Sequence, residues 1–150
     1  MPPINQYKCN QCELNFPEGW GGFLFVENNK GKRIHCPHPC EEDMIKAILG
    51  KNSLIRLIKG KTIKKRVGYA SDCLCLNCFY KFTADLADEK GELTWRYFYK
   101  KSVGMLGGKD KRECPKCKSD KIKTLSELLN KTCPKCQKGK IIEIETGVVS

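Results

Sequence analysis

Cysteine spacing constrains this chain more than any other feature of its sequence. Eleven of the 150 residues are cysteines, and eight of them form four Cys-x-x-Cys pairs. These pairs are Cys9/Cys12, Cys75/Cys78, Cys114/Cys117 and Cys133/Cys136. A tight turn after the first cysteine of such a pair aims both sulfur atoms at one ion, so four pairs indicate metal sites far more strongly than one pair does. The sequence therefore predicts a fold that is set by bound metal rather than by a large apolar core.

The rest of the sequence favours reduced thiols over disulfides. Residues 1–16 contain no apolar run of signal-peptide length, and no stretch of the chain approaches the roughly 20 apolar residues of a membrane span. We therefore expect a soluble, cytoplasmic protein with no membrane association. Thiols stay reduced in that compartment, which makes paired cysteines metal ligands or redox groups rather than structural cross-links.

Neither redox nor catalytic chemistry is indicated around the pairs. A redox Cys-x-x-Cys normally begins a helix within a thioredoxin-like βαβ unit, and no such pattern surrounds these pairs. A catalytic zinc usually keeps three protein ligands and a water molecule, often beside a glutamate. The segment 36–41 contains a histidine and a glutamate but lacks the His-x-Glu order of a zinc deaminase. We predict that the protein is not an enzyme.

Two of the pairs carry a family resemblance. Cys114-Pro-Lys-Cys117 and Cys133-Pro-Lys-Cys136 share the same four residues, and each resembles the Cys-Pro-x-Cys knuckle of the zinc-ribbon and rubredoxin-like families. The resemblance covers the knuckles and implies bound zinc and adjoining antiparallel hairpins. These families usually have glycine after the second cysteine. This chain departs from that pattern at all four pairs, where it has Glu13, Phe79, Lys118 and Gln137.

The N-terminal part of the chain has the order knuckle, hairpin, knuckle. An apolar stretch and a turn, together residues 16–31, separate Cys9 and Cys12 from Cys36 and Cys40. A hairpin over these residues would bring the two cysteine pairs together. We therefore expect these four cysteines to form one site, as in a zinc ribbon.

Two further features follow the hairpin. His38 is an alternative ligand to Cys40, whereas we interpret His35 as a solvated residue. Acidic residues at 41–43, apolar residues at helical spacing after them, and Gly50 as a stop together predict a short helix.

Three cysteine pairs remain for the C-terminal part, and three pairs do not divide evenly into four-cysteine sites. The last two pairs give Cys-x2-Cys-x15-Cys-x2-Cys, which is within the usual zinc spacing. The second and third pairs instead enclose an aromatic hairpin. We favour this second arrangement, which leaves Cys133/Cys136 either without metal or dependent on outside ligands such as Cys73, a histidine of the first module or a partner chain. The protein would then hold two or three Zn²⁺ ions.

These observations predict three segments. Residues 1–50 form an N-terminal zinc-ribbon-like module with a short helix, residues 51–71 form a basic linker or hairpin, and residues 72–150 form a C-terminal module with several knuckles. Within the last segment, residues 124–127 match a helix capping box and residues 141–149 predict a closing strand. The expected fold class is a small metal-stabilised α+β fold of tandem zinc-ribbon-like modules with antiparallel hairpins and short helices.

The chain is basic, although less so than its formal charge suggests. The formal net charge is +11 with every cysteine counted as neutral. A filled four-cysteine site carries four thiolates against one Zn²⁺, so the charge falls to +7 with two sites and +5 with three. The surplus lies in residues 51–150, which carry 23 Lys or Arg against 11 Asp or Glu.

Two basic runs are the candidates for contact with nucleic-acid phosphates. Their residues are Lys59, Lys61, Lys64, Lys65, Arg66, Lys109, Lys111 and Arg112. The second run continues through the lysines at 116, 118, 121 and 123. Such clusters neutralise phosphates and release counterions, whereas the alternative is a solvated face that keeps a small protein soluble.

The aromatic residues of the C-terminal part could serve either base stacking or core packing. Phe79, Phe82 and the predicted strand at 93–100 could stack on nucleic-acid bases, but small ribbons need such residues to cover their own hairpins, and we favour core packing. The favoured function is a non-enzymatic zinc-ribbon protein that binds RNA or DNA phosphates as an accessory subunit of a nucleoprotein assembly. The alternative is a zinc-ribbon adaptor that binds a protein partner without touching nucleic acid.

Overall fold

A computed structural model describes residues 3–50, 66–88, 90 and 108–149. In these ranges the chain forms eight strands and two short helices. The strands are β1 (Pro3–Cys9), β2 (Asn15–Gly19), β3 (Gly22–Glu27), β4 (Arg33–His35), β5 (Val67–Cys75), β6 (Lys81–Ala84), β7 (Ile122–Thr124) and β8 (Ile141–Val149), and the helices are α1 (Glu41–Leu49) and α2 (Leu125–Leu128). The strands pair mostly antiparallel, so the protein has a small α+β fold. Neither helix is long and apolar enough to cross a membrane.

The chain divides into two compact units, and each is assembled from separated segments. The first unit comprises Met1–Gly22, Ser71–Ala84 and Asp110–Ser150, and the second comprises Phe23–Ala70 and Asp85–Lys109. This division differs from the predicted segments 1–50, 51–71 and 72–150. Residues 51–65 of the predicted linker and the predicted aromatic strand at 93–100 lie outside the described residues.

The first unit joins the two ends of the chain in one sheet. β1 lies between β2 and β8, and its pairing with β8 runs from Pro3 opposite Val149 to Cys9 opposite Ile141. The predicted closing strand is therefore confirmed. In the same unit the second half of β5 pairs with β6 on one side and with β7 on the other, all antiparallel.

An apolar core beside these strands fixes the knuckles of the first unit. Its buried members are Tyr7, Cys9, Leu14, Phe16, Leu74, Leu125, Leu128, Cys133 and Ile141. The leucines at 125 and 128 come from α2, which begins at the predicted capping box. The Thr124 hydroxyl accepts a hydrogen bond from the backbone N–H of Glu127, and the Glu127 carboxylate accepts one from the N–H of Thr124.

The second unit contains the predicted hairpin and the predicted helix. β3 and β4 pair antiparallel, and the Asn28 side chain closes their turn by accepting hydrogen bonds from the N–H groups of Lys30 and Lys32. α1 has three acidic residues in its first turn and ends at Gly50, whose φ of 99° no longer fits a helix. The helix packs Ile45 into a cluster with Leu24, Val26, Cys36 and Val67.

A buried ion pair also belongs to the second unit. Asp85 is fully buried, and its carboxylate lies 3.6 Å from the ammonium of Lys109. The same ammonium donates to the carbonyl of Val67 at 2.5 Å. Gly68 makes room for this arrangement, since a Cβ atom there would lie 2.5 Å from the Asp85 carboxylate and closer still to the Phe25 ring.

Candidate metal centres

The first and last cysteine pairs form one cluster, which we call the first centre. Cys9, Cys12, Cys133 and Cys136 place their sulfur atoms within 4.8 Å of one another. The Sγ atoms of Cys9 and Cys136 are 3.6 Å apart, and those of Cys12 and Cys133 are 3.7 Å apart. β1 carries the first pair up to the cluster, and the β1–β8 pairing holds the segment after the last pair beside it.

The two middle pairs form an equivalent cluster, which we call the second centre. It consists of Cys75, Cys78, Cys114 and Cys117, whose sulfur atoms also lie within 4.8 Å of one another. Cys75 Sγ is 3.5 Å from Cys117 Sγ, and Cys78 Sγ is 3.7 Å from Cys114 Sγ. This is the arrangement favoured from the sequence, with the second cysteine pair facing the third.

The sulfur spacing fits a four-coordinate metal ion and not a disulfide. A tetrahedral ion with metal–sulfur bonds of about 2.3 Å has sulfur–sulfur edges of about 3.8 Å. The closest sulfur pairs in the two centres are 3.5 to 3.7 Å apart, far longer than a disulfide bond of about 2.05 Å. Each centre is therefore a group of four thiols that could hold one metal ion, which gives two possible ions within the described residues.

Backbone hydrogen bonds shape each knuckle. The N–H of the first cysteine in every pair donates to a carbonyl five or six residues later. These bonds are Cys9 to Leu14 at 2.9 Å, Cys75 to Tyr80 at 3.0 Å, Cys114 to Ser119 at 2.8 Å and Cys133 to Gly139 at 2.8 Å. Backbone N–H groups of Gln11, Lys116 and Gly139 also donate to knuckle sulfur atoms at 3.3 to 3.4 Å. Such donors stabilise thiolates, as a metal centre requires.

The missing glycines after the second cysteines do not prevent these turns. Phe79, Lys118 and Gln137 have φ values of 59°, 64° and 57°, so all three adopt the left-handed conformation that glycine would supply. Glu13, at the fourth position, is not among the residues with positive φ. Three knuckles therefore keep the turn of the family pattern at the cost of backbone strain.

Gly139 is a site residue that the cysteine spacing does not reveal. A Cβ atom at this position would lie 2.6 Å from Asn10 Oδ1 and 2.7 Å from Cys9 Sγ. Asn10 Oδ1 also accepts the N–H of Lys140 at 3.0 Å. The last knuckle thus packs its backbone directly against the first, and only glycine fits there.

Hydrogen-bond donors lower the pKa values of Cys117 and Cys136 and so favour their thiolate forms. The Asn77 side chain and then the Ser119 N–H hydrogen-bond to Cys117 and lower its pKa to about 6. The N–H groups of Gly139 and Lys138 lower the pKa of Cys136 to about 6.

The pKa of Cys12, in the first centre, shifts in the opposite direction. The Leu14 N–H acts to lower the pKa of Cys12, but burial and the adjacent sulfur atoms outweigh it and raise that pKa to about 12. Because a metal binds thiolates, metal binding at the first centre would displace the proton of Cys12.

The expectation that Cys36 and Cys40 complete the site of Cys9 and Cys12 is corrected by the structure. Cys133 and Cys136 take that place. Cys36 is instead buried in the apolar cluster of the second unit, and its burial raises its pKa to about 12. Cys40 is exposed and precedes α1 as its N-cap residue. The β3–β4 hairpin forms as expected, but it leads into an apolar core rather than to a second knuckle.

The other outside ligands considered for Cys133/Cys136 also have different places. His38 Nδ1 lies 2.6 Å from a carboxylate oxygen of Glu41, and the His35 ring packs on Phe23 with ring centroids 4.4 Å apart. Cys73 is fully buried in β5, where its thiol donates to the carbonyl of Ser71. None of these residues belongs to either cluster.

Several residues of the basic runs are engaged within the protein. Arg66 donates to the carbonyl of Glu27 and to the Asn29 side chain. Lys109 belongs to the buried ion pair, and Arg112 donates to the carbonyl of Ile122 at 2.7 Å and to Glu127 at 3.0 Å. Lys111 is exposed, whereas the predicted lysines at 59, 61, 64 and 65 lie outside the described residues.

No protein-family model matches the chain, and no match is found among the curated proteins or the solved structures. The two cysteine clusters are consistent with zinc-ribbon-like modules. They support metal binding by the protein.

Proposed function

We propose that the protein binds nucleic acid through phosphate contacts made by lysines around the second centre, and that Zn²⁺ in both centres holds the fold. In this proposal it acts as an accessory part of a larger nucleoprotein assembly and catalyses no reaction. The observation that carries the proposal is the knuckle lysine, which pairs with a carboxylate in the first centre and lies beside an aromatic ring in the second.

Zinc suits both centres because of their ligand chemistry. Four thiolates complete a tetrahedral shell and leave no open position for substrate, which is typical of a structural zinc site. Iron can also occupy a four-thiolate tetrahedron. Metal analysis of protein purified in its native state should find two zinc ions per chain and no visible absorption from iron. Coloured, iron-containing protein would contradict the assignment of zinc.

The lysine of the Cys-Pro-Lys-Cys knuckle is neutralised in the first centre. Lys135 places its ammonium 2.6 Å from the carboxylate of Glu13, which follows the facing knuckle. This ion pair lowers the pKa of Glu13 through the hydrogen bond from Lys135. The positive charge of the knuckle is thus matched locally.

The equivalent lysine in the second centre pairs with no acid among the residues that the structure describes. Lys116 lies 5.9 Å from the centre of the Tyr80 ring. Lys111, Lys118 and Lys121 are exposed and make no ion pair within the described residues. Even after a filled centre contributes its two negative charges, this side of the unit keeps positive charge that a polyanion can match.

Salt-dependent binding tests the proposal. The zinc-loaded protein should bind a labelled oligonucleotide, and its affinity should fall steeply between about 50 and 200 mM salt as counterions compete. The variant Lys111→Gln, Lys118→Gln, Lys121→Gln should lose most of this affinity and reduce the slope of log K against log salt.

A matched variant removes the same charge from the other centre. Lys131→Gln, Lys135→Gln, Lys138→Gln changes three exposed lysines of the same unit around the first centre. This control should retain binding and both metal ions. Equal losses in the two triple variants would show that only net charge matters, and they would contradict a phosphate site at the second centre.

The adaptor function remains a second candidate because of one feature of the first unit. β8 is an outer strand of the sheet β2–β1–β8, and Val148 and Val149 at its end are 56% and 59% exposed. Outer strands of this kind can pair with a strand of another protein. A protein partner that stays bound through the same salt range, with no nucleic acid in the complex, would favour the adaptor.

A further inference from the structure

We infer that the second centre binds single-stranded nucleic acid, with an unpaired base stacked on the ring of Tyr80. The inference rests on the proposed function and names the substrate class and the contact. Its evidence is the placement of one exposed aromatic ring by the ligand loops of the centre.

Tyr80 and Phe82 form a small aromatic step on one face of β6 and the turn before it. Their ring centroids are 6.1 Å apart and the rings are inclined by only 13°. Tyr80 is 42% exposed, which leaves much of the ring open to solvent. An exposed ring in contact with a second, nearly parallel ring is a platform on which a base can stack.

The second centre fixes this platform. The carbonyl of Tyr80 accepts the N–H of Cys75 at 3.0 Å, and the N–H of Tyr80 hydrogen-bonds to the Cys78 sulfur. Lys116 lies between two ligands of the facing knuckle, and its N–H donates to Cys114 Sγ at 3.4 Å. The backbones that carry the ring and the ammonium are therefore both held in place by the cluster, which reduces the entropy lost when a ligand binds.

In the first centre, the residue equivalent to Tyr80 packs into the apolar core. Leu14 corresponds to Tyr80, since each lies two residues after the second cysteine and accepts the N–H of the first. Leu14 is buried, at 5% exposure, and belongs to the apolar core. Core packing thus explains Leu14 and the partly buried Phe79, but it does not explain an exposed tyrosine beside an ammonium group.

Single strands fit this surface better than duplexes do. The faces of bases inside a duplex are covered by their neighbours, whereas an unpaired base can turn its face to an aromatic side chain. Phosphates on either side of that base would lie within reach of lysines on the third knuckle, Lys116 and Lys118. Stacking and phosphate contact would then act together, and neither requires a particular base.

The test compares single-stranded and double-stranded oligonucleotides of equal length, such as a thymidine oligomer and a mixed duplex, on the zinc-loaded protein. The variant Tyr80→Leu copies the residue found in the first centre and keeps an apolar side chain. It should lower single-strand affinity by roughly 5- to 150-fold and change duplex affinity by less than about 2-fold, because base stacking contributes only in the single-strand complex. Tyr80→Phe keeps the ring and should retain single-strand affinity, and both variants should keep two metal ions per chain.

The possible results separate the inference from the proposed function. If Tyr80→Leu binds single strands normally while the Lys111, Lys118, Lys121 variant does not, phosphate binding stands and stacking is wrong. Equal losses of single-strand and duplex affinity in Tyr80→Leu would also overturn stacking. If the unmodified protein binds neither oligonucleotide, both proposals fail.

Discussion

Cys9 Sγ lies 3.6 Å from Cys136 Sγ, although 127 residues separate them in the chain. Cys9 is also the last residue of β1 and is opposite Ile141, the first residue of β8. The first centre and the β1–β8 pairing therefore close the same long loop. Closing it costs chain entropy, and metal binding supplies free energy to offset that cost because the site does not exist in the unfolded chain.

Replacing one ligand of the first centre should remove one metal ion and weaken the sheet that it closes. We expect Cys133→Ser to hold one zinc ion per chain instead of two, and amide protons in β1 and β8 should exchange faster with solvent. The measurements are metal analysis and hydrogen exchange. Cys40→Ser is the control, because Cys40 is exposed and belongs to neither cluster. Loss of an ion in the control with none lost in Cys133→Ser would restore the pairing expected from the sequence.

Breaking the buried ion pair should destabilise the second unit. Lys109→Met removes the ammonium that lies 3.6 Å from the fully buried Asp85 carboxylate, and the free energy of unfolding should fall by about 3–5 kcal/mol. Adding Asp85→Asn to Lys109→Met removes the buried negative charge as well and should recover much of the loss. Urea denaturation of the single and double variants measures both effects.

The neighbouring exposed lysine is the control for this prediction. Lys111→Met should change the free energy of unfolding by less than about 0.5 kcal/mol, as for most surface substitutions. If Lys109→Met were no more destabilising than Lys111→Met, the ion pair would contribute nothing to stability.

Local features of the fold could be predicted from the sequence because nearby residues determine them. Three such features are the turn at Asn28, the helix that ends before Gly50 and the capping box at Thr124. Each depends on residues that lie within a few positions of one another in the sequence. The isoleucines and valines at 141–149 likewise predicted β8. These elements required no knowledge of distant parts of the chain.

The choice of partner for each knuckle could not be predicted in the same way. The spacing rule favours cysteine pairs that are close in sequence, and so it joined Cys9 and Cys12 to Cys36 and Cys40. The structure instead joins the first pair to the last, because β1 pairs with β8 and Gly139 lets their knuckles touch. A glycine three residues after Cys136 was a signal for that close approach, but its meaning depends on a contact more than 120 residues away.

Asp72 should make the first unit more stable as the pH falls through about 6. Burial raises its pKa to about 6 from 3.8, so the folded protein takes up a proton in a pH range where the unfolded chain does not. Above pH 6 the buried charge costs free energy, and Asp72→Asn removes that cost. At pH 7.5 the variant should therefore be more stable than the unmodified protein, by about 1–3 kcal/mol.

The pH dependence of this difference is the decisive measurement. The advantage of Asp72→Asn should shrink as the pH is lowered from 7.5 to 5, because the unmodified protein becomes protonated at Asp72. Urea denaturation at several pH values gives the difference directly, and changes in metal affinity affect both proteins alike. Asp120→Asn, which changes an exposed aspartate in the same unit, is the control. An advantage for Asp72→Asn that stayed constant with pH would contradict the assigned cause.

The strained position after Cys136 should prefer glycine. Gln137 is exposed and has a φ of 57°, where a Cβ atom crowds the backbone by about 1–2 kcal/mol. Gln137→Gly should therefore be more stable than Gln137→Ala by about 1 kcal/mol, since the two variants differ only in that atom. At position 13, where φ is not positive, the order should reverse and Glu13→Ala should be the more stable variant. Glycine there relieves no strain in the folded protein, and its greater conformational freedom favours the unfolded chain. Urea denaturation of the four zinc-loaded variants compares the two positions, and the same order at both would show that the left-handed turn is not what distinguishes the last knuckle from the first.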